Sequence, residues 1–303
     1  MYNEIDLTYE KRNFFKNYNG ANGNKICIIY NDENYLLKFS PKAKNNKLMS
    51  YTNSCFSEYI SCRIIESLGL NVQKTYLGKY KEKIVVVCKD FETKNKRFFD
   101  FASLKNSIID SETGGYSTEL IDILNTIENQ EIIDKTKLKT FFWDMFIVDS
   151  LLGNFDRHNG NWGFLVNFDT NKIEIAPIFD CGSCLFPQLN EMMMKNILKS
   201  KDELENRIYV FPNSIIKEDN VKINYYNFLT TTKNPTCLKS LLKIYNRIDT
   251  VKIKNIIKNT PYINDIHKIF LEKIINLRKE KILQKAIEIN KNIKKIKDMD
   301  LTL

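Results

Sequence analysis

The pattern of apolar residues changes near residue 92, and this change limits the folds open to the chain. Before it, short β-rich runs alternate with turns rich in Asn, Asp and Gly, as in Lys25–Tyr30 and Tyr35–Phe39 on either side of residues 31–34. Two such runs around a short polar turn are typical of an antiparallel hairpin. After residue 93 the apolar residues mostly recur at helical spacing. The sequence therefore predicts two differently built parts.

The first part also contains one predicted helix and two further predicted strands. The helix covers residues 54–70, ends at Gly69 and has four apolar residues on one side, Ile60, Ile64, Ile65 and Leu68. The strands are Val72–Leu77 and Lys83–Val87. We expect an α+β protein of two lobes. Residues 1–92 would form a small β-rich lobe with one helix, and residues 93–303 a larger, mainly helical lobe.

Bulk composition fits an ordinary folded protein. With 303 residues and 43% apolar composition, the chain can bury roughly three quarters of its unfolded surface. The N-terminus lacks the basic and apolar regions of a signal peptide, and no apolar run approaches the roughly 20 residues that span a bilayer. Seven scattered Cys indicate buried thiols in a reducing cytosol. We expect cytoplasmic synthesis and no transmembrane segment.

The net charge of +9 is concentrated near the C-terminus, where residues 266–303 hold ten Lys and Arg against five Asp and Glu. A basic helix can attract nucleic acid or acidic lipid. However, Phe270 is the segment's only aromatic residue, and its apolar residues recur at helical spacing. We favour a packed helix with a solvated basic face and expect no stable nucleic-acid partner.

Polar residues that suit phosphoryl transfer follow a strongly apolar helical pattern at residues 136–152. The turn-rich segment 152–164 contains Asp156 and Asn161, and an apolar approach ends at Asp180 twenty-four residues after Asp156. Phosphoryl transfer needs hard oxygen ligands for a metal and a group that orients the attacking hydroxyl. The Asp-to-Asn spacing of five and the Asp-x-Gly at Asp180 match the catalytic and metal loops of kinases.

Upstream residues supply the remaining parts in the expected order. Lys38 ends the second strand of the hairpin, where it can reach phosphates, and Glu58 lies in the following helix, where it can pair with Lys38. A glycine-bearing turn precedes the hairpin and can cover phosphates with its backbone N–H groups. It consists of Gly20, Ala21, Asn22, Gly23 and Asn24.

Four segments together resemble the HipA-like serine/threonine kinases: Asn154–Asn161, Ala176–Asp180, Ser57–Ile60 and Tyr35–Phe39. The resemblance implies a two-lobed, protein-kinase-like fold with ATP in the cleft and a protein substrate with a Ser or Thr acceptor. Autophosphorylation is also expected, although HipA's phosphate-loop Ser has no counterpart in Gly20–Lys25, which lacks Ser and Thr. Export without a signal peptide would agree with the resemblance and leave no mark in the sequence.

The resemblance also implies a role for each motif residue. Asp156 would be the catalytic base, Asn161 and Asp180 the Mg²⁺ ligands, and Lys38 the phosphate-binding Lys. His158 would lie beside the phosphates and assist catalysis. The remaining nucleotide contacts would be Phe179 and the hinge that holds adenine through its backbone, Val87, Cys88 and Lys89.

Other interpretations remain open at this level. Asp156 and Asp180 could be caps, Asn161 a turn residue, and His158 a brace for its loop. Cys181 and Cys184 form a C-x-x-C, but without a second such pair buried thiols are favoured over zinc or redox chemistry.

Two other functions are also considered. A phosphoinositide-type lipid kinase shares the Asp-Arg-His-x-x-Asn loop, although Cys181–Met194 lacks the Lys and Arg expected of its substrate loop. A non-catalytic nucleotide- or nucleic-acid-binding module is the alternative from a different class.

Overall fold

The first sheet forms the smaller lobe. The computed structural model describes residues 5–16, 18, 25–41, 52–108 and 115–291. Six strands form this sheet in the order β1-β5-β6-β4-β3-β2. They are β1 (Ile5–Asp6), β2 (Lys11–Arg12), β3 (Lys25–Tyr30), β4 (Glu33–Phe39), β5 (Thr75–Tyr80) and β6 (Lys83–Lys89). All pairs are antiparallel except β1 with β5.

Two-residue turns close both central hairpins. Asn31 and Asp32 have φ of 49° and 60°, and Lys81 and Glu82 have φ of 48° and 61°. Positive φ at both central residues matches the right-handed twist of the paired strands. The predicted hairpin is confirmed, whereas the strand expected at Val72–Leu77 begins at Thr75. The short strands β1 and β2 were not predicted.

Helix α1 (Ser54–Ser67) joins the first sheet to the larger lobe. Its predicted apolar residues Ile60, Ile64 and Ile65 are fully buried and belong to the large core that continues through the second lobe. The helix ends before Gly69, whose φ of +72° is the left-handed conformation that favours glycine. One helix therefore carries side chains from the sheet lobe towards the helical lobe.

The second lobe is mainly helical. Its helices are α2 (Phe101–Ile108), α3 (Leu120–Asn129), α4 (Lys135–Leu152), α5 (Glu191–Lys199), α6 (Lys201–Glu205), α7 (Tyr225–Thr231), α8 (Pro235–Arg247), α9 (Thr250–Lys258) and α10 (Asp265–Arg278). The strands are β7 (Lys96–Asp100), β8 (Gly163–Asn167), β9 (Lys172–Ile175), β10 (Lys217–Glu218) and β11 (Val221–Lys222). β7, β8 and β9 form an antiparallel sheet in that order.

Helix α4 is the centre of this lobe, because most of its residues are buried from Phe142 onward. The chain leaves the first sheet after Lys89 and enters another at Lys96. The part of the chain after residue 93 therefore begins with a strand, β7. The boundary between the two lobes at residue 92 remains a proposal. In the described part of the chain, no helix combines the length and apolar character needed to cross a membrane.

The C-terminal helix packs as expected from its apolar spacing. α10 continues through a π-helical turn, Lys279–Gln284, and stays helical to residue 291. Phe270, Ile274 and Ile282 are fully buried on it. The predicted continuation beyond residue 291 lies outside the described residues.

Candidate active site

Strand β4 and helix α1 bring Lys38 and Glu58 together below the first sheet. Lys38 Nζ donates to both carboxylate oxygens of Glu58, at 2.7 and 2.8 Å, and to Oδ1 of Asp180 at 3.0 Å. Burial alone would lower the pKa of Lys38, but the carboxylates of Asp180 and Glu58 raise it well above its usual value. Lys38 is therefore a fixed cation that joins elements far apart in the sequence.

The predicted catalytic loop is held by its own backbone and side chains. α4 ends at Gly153, whose φ is +68°. The N–H of Asp156 then donates to Asn154 Oδ1 at 3.0 Å, and the N–H of His158 donates to the carbonyl of Asp156 at 2.9 Å. This tight turn fixes the backbone on both sides of Asp156.

Asn161 is oriented by a bond to the same carbonyl. Its Nδ2 donates to the backbone oxygen of Asp156 at 2.8 Å, so its Oδ1 is the amide atom left for a cation. The pKa of Asp156 is raised by burial and by the charge of Asp180, against the effect of His158. Both residues line a cavity of about 310 Å³ together with Lys38, Glu58 and Asp180.

His158 lines this cavity and also braces the loop. Its Nδ1 accepts a hydrogen bond from the backbone N–H of Gly160 at 3.1 Å, which leaves Nε2 as the ring nitrogen for a ligand. The expected position beside the site and the alternative bracing role are therefore compatible.

Asp180 adopts a backbone conformation that is uncommon for a residue other than glycine. Its φ is +53°, and such conformations are often associated with functional sites. Burial would raise the pKa of its carboxyl, but Lys38, with smaller contributions from Lys25 and Arg157, lowers it to about 2. Asp180 is therefore fully ionised near neutral pH.

Arg157 links the catalytic loop to the segment before Asp180, a role that was not predicted from the sequence. Its side chain is 2% exposed and binds both oxygens of the buried Asp149 on α4, through Nε at 2.9 Å and Nη2 at 3.2 Å. Its Nη1 donates to the carbonyls of Asn161 and Phe179. One guanidinium therefore sets the spacing between the two loops that carry the candidate metal ligands.

An aromatic cavity of about 380 Å³ adjoins the charged one. Phe91, Phe98 and Phe179 line it with ring centroids 5.2 to 5.6 Å apart. The two cavities share Lys38, Asn161 and Asp180 among their lining residues. They form one cleft with an aromatic end and a charged end, and Phe179 lines the aromatic end.

The expected hinge, Val87 to Lys89, lies at the end of β6. Val87 and Cys88 lie inside β6 and are paired with β4 on one side and β5 on the other, so the sheet uses their backbone groups. Lys89 donates its N–H to the carbonyl of Lys74 and accepts from the Gln73 side chain. The chain leaves the sheet at Asp90–Glu92, which lines the aromatic cavity.

The predicted phosphate-covering turn, Gly20, Ala21, Asn22, Gly23 and Asn24, lies outside the described residues. The next residue, Lys25, lines both cavities.

The C-x-x-C residues lie beneath Asp180 as buried, free thiols. Hydrogen bonds with Cys184 and Cys62, together with the charge of Arg157, lower the pKa of Cys181 well below its usual value. Across the described ranges, no three His, Cys, Asp or Glu side chains are grouped to hold a metal ion.

The chain as a whole is similar to known proteins of one family. A family model described as the HipA-like C-terminal domain matches residues 20–238. The serine/threonine-protein kinase CtkA of Helicobacter pylori strain J99 is 56% identical over 283 residues, which are 93% of this chain and 87% of that protein.

Solved structures agree with the sequence match. The crystal structure of a Helicobacter pylori proinflammatory kinase CtkA has a TM-score of 0.89 at 53% identity and covers 99% of both chains. HipA of Shewanella oneidensis MR-1, solved with HipB and operator DNA, has a TM-score of 0.56 at 14% identity, over 90% of this chain and 68% of that one; this likeness shows the fold alone. The expected protein-kinase-like fold is confirmed, and the chain belongs to the HipA-like family of serine/threonine kinases.

Proposed function

We propose that this kinase transfers the γ-phosphoryl group of ATP, with Mg²⁺, to Ser or Thr residues of protein substrates and to itself. The observation that carries the proposal is the convergence of Lys38, Asp156, Asn161 and Asp180 on one cleft whose other end is aromatic. Phosphoryl transfer depends mainly on positioning and on charge stabilisation, and these residues can supply both.

Lys38 would neutralise phosphate charge. Glu58 receives two hydrogen bonds from Lys38 and would keep its ammonium in place. Asn161 Oδ1 and the Asp180 carboxylate would be the protein ligands of Mg²⁺. This small ligand set suits Mg²⁺, which usually keeps several waters and binds one or two carboxylates together with substrate phosphates.

Asp156 would accept or orient the proton of the acceptor hydroxyl. Its backbone carbonyl is bound by both His158 N–H and Asn161 Nδ2, which ties the base to the proposed metal ligand. His158, through Nε2, would contact the transferred group. In this proposal Asp156 would serve the acceptor hydroxyl, and the other residues the phosphates and their metal.

Adenine would bind in the aromatic end. Phe91, Phe98 and Phe179 offer ring faces and edges, and Asp90–Glu92 line the cavity where the chain leaves the sheet. The N–H groups of Asp90 and Glu92 donate to the Asn34 carbonyl and to Asp90 Oδ1, so the N–H of Phe91 and the carbonyls of the segment would meet the base. We assign adenine binding to this segment in preference to Val87–Lys89. The turn Gly20–Asn24 is proposed to cover the phosphates.

Protein is the preferred acceptor over lipid. Cys181–Met194, which follows the proposed metal ligand, contains no Lys or Arg that could hold an anionic headgroup. The 56% identical relative is named as a serine/threonine-protein kinase, which supports the same assignment.

The direct test uses labelled ATP. Wild-type protein would be incubated with ATP and Mg²⁺ or with EDTA, alone, with a basic protein, or with phosphoinositide vesicles, and phosphorylated residues would be mapped by mass spectrometry. Mg²⁺-dependent labelling of Ser and Thr is expected, with little labelling of lipid. Asp156→Asn and Asp180→Asn should abolish it, while the exposed control Asp202→Asn should not. Full labelling by Asp180→Asn would contradict the proposal.

A further inference from the structure

A second concave surface lies in the helical lobe, between strand β9 and the N-terminal half of α4. Its cavity volume is about 730 Å³, and its apolar lining includes Phe141, Leu165, Ile175 and Pro177. None of its lining residues lines either cavity of the catalytic cleft. We call this surface the β9–α4 groove.

Strand β9 is an edge of its sheet as far as the described residues go, since it pairs with β8 alone. The N–H of Ala176 donates to the carbonyl of Gly163 on the β8 side. In an antiparallel pair, alternate residues direct their backbone groups to the partner strand. Ile173 and Ile175 consequently direct their N–H and C=O groups away from β8. An extended chain can add to such an edge and form main-chain hydrogen bonds.

Asp144 of α4 also lines the groove and has an unmet hydrogen-bonding requirement. The residue is 6% exposed, and its Oδ2 accepts a hydrogen bond from Lys243 Nζ. Its buried Oδ1 has no hydrogen-bond donor among the described residues. An unsatisfied buried carboxylate oxygen is costly, so a donor from a ligand would remove this cost.

More carboxylates than cations line the groove, and one carboxylate oxygen, Asp144 Oδ1, still lacks a donor among the described residues. Asp134, Asp144 and Glu174 line the groove against Lys137, whereas the whole chain carries a net charge of +9. Lys243 and Lys96 pair with Asp144 and Glu174 from outside the lining. Aliphatic surface, an open strand edge and acidic side chains thus lie together.

We propose that the β9–α4 groove is a docking site for an extended segment of a protein substrate. The segment adds as a strand to β9, and a Lys or Arg side chain donates to Asp144 Oδ1. The proposal rests on the proposed protein-kinase function, because it supplies a binding site for the substrate away from the acceptor residue. β8 connects the groove to the catalytic loop, since it begins at Gly163, two residues after Asn161.

The test measures binding without catalysis. A displayed library of random decapeptides would be selected on the immobilised full-length protein, and enriched peptides would be labelled for fluorescence anisotropy. We expect a Lys or Arg flanked by alternating apolar residues. Asp144→Asn should weaken these peptides at least tenfold. Thr140→Trp, which fills the groove, should do the same, while Lys135→Trp on the exposed first turn of α4 should change affinity less than twofold.

Glu174→Lys provides a second groove variant should Thr140→Trp fail to fold, since Glu174 is a partly exposed strand residue. It should weaken basic peptides by repulsion. The proposal is overturned by the absence of enriched peptides, by binding that both groove variants leave unchanged, or by equal affinity for Asp144→Asn. A dimer seen by size exclusion and lost in Thr140→Trp would also overturn it, because the occupant would then be a second copy.

Measuring autophosphorylation of the same preparations distinguishes a failure of the docking proposal from a failure of the kinase proposal. Groove variants should label themselves at the wild-type rate, since the groove shares no residue with the cleft. Loss of labelling in wild type would contradict the kinase proposal and leave the peptide-binding result to be judged by itself.

Discussion

Arg157→Gln gives a sharp test of how the two catalytic segments are held together. The substitution removes the charge partner of Asp149, which is 3% exposed, and the donors to the carbonyls of Asn161 and Phe179. Breaking a buried ion pair from one side costs about 3–5 kcal/mol. With an unfolding entropy of roughly 2.1 cal/mol/K per residue over 303 residues, that corresponds to a fall in Tm of roughly 5–8 °C. Since proteins are stable by about 5–15 kcal/mol, much of the variant should still fold.

A double-mutant cycle separates the charge pair from the positioning of the loops. Asp149→Asn removes the charge and keeps an oxygen for the bond from Asn154 Nδ2. The double variant Asp149→Asn, Arg157→Gln should therefore regain about 2 kcal/mol or more relative to the sum of the single changes. Its phosphotransfer kcat should remain at least about 100-fold below wild type, because small displacements of reacting groups cost that much.

Thermal unfolding and initial-rate measurements on the four proteins would complete the cycle. Additive effects on stability, within about 0.5 kcal/mol, would show that the two side chains do not stabilise each other. A double variant that recovers wild-type kcat would refute the positioning role of Arg157.

Four further perturbations have defined outcomes. Lys38→Met should lower phosphotransfer at least about 100-fold, measured with labelled ATP, and near-normal activity would contradict the proposed role of Lys38. The pKa of Asp156 is raised by burial, so the acid limb of the profile of kcat/KM against pH should fall above pH 3.8; a limb at or below that value would refute the base assignment. Burial lowers the pKa of His267 to about 4, so between pH 6.5 and pH 4 the unfolded chain binds a proton at this residue that the folded chain does not. About 3 kcal/mol of the stability present above pH 6.5 should therefore be lost as the pH falls to 4. His267→Gln should not show this loss. A Cβ on Gly163 would lie 2.2 Å from the carbonyl oxygen of Phe99 and 2.7 Å from Asp100 Cα, so Gly163→Ala should lower Tm by several degrees, and more than Gly160→Ala, where a movable His158 side chain is the neighbour.

Local chemistry allowed the strands and helices near the site to be predicted. The hairpin of β3 and β4 followed from two β-rich runs around a polar turn, and α1 from apolar residues spaced three and four apart. Where these signals were weak, prediction failed. β1 and β2 have two residues each, too few to show alternation. Helix α5 begins behind an Asn190 cap, and that cap was a usable signal in the sequence.

The candidate site could likewise be predicted only in part. The spacing of Asp156, Asn161 and Asp180 was visible along the chain, and the structure brings the three residues to one cavity. Arg157 acts on backbone carbonyls and on Asp149, and no sequence pattern marks such partners. The position of the hinge stays a prediction, because the end of β6 depends on pairing with β4 and β5, which only the folded sheet reveals. The catalytic roles of Asp156, Asn161 and Asp180 remain predictions.

Lys38 already forms an ion pair with Asp180, the carboxylate that we assign to the metal. Its Nζ lies 3.0 Å from Asp180 Oδ1 while Glu58 holds it from the other side. In the loaded cleft Asp180 would hold the metal in place of Lys38, and Lys38 would bind phosphate while it keeps its bond to Glu58. Metal or nucleotide would each bind less tightly alone. The metal alone would compete with the Lys38 ammonium for Asp180, and the nucleotide alone would meet a Lys38 that is bound to two carboxylates. Metal and nucleotide affinities should therefore rise together, each increasing the other by the same factor.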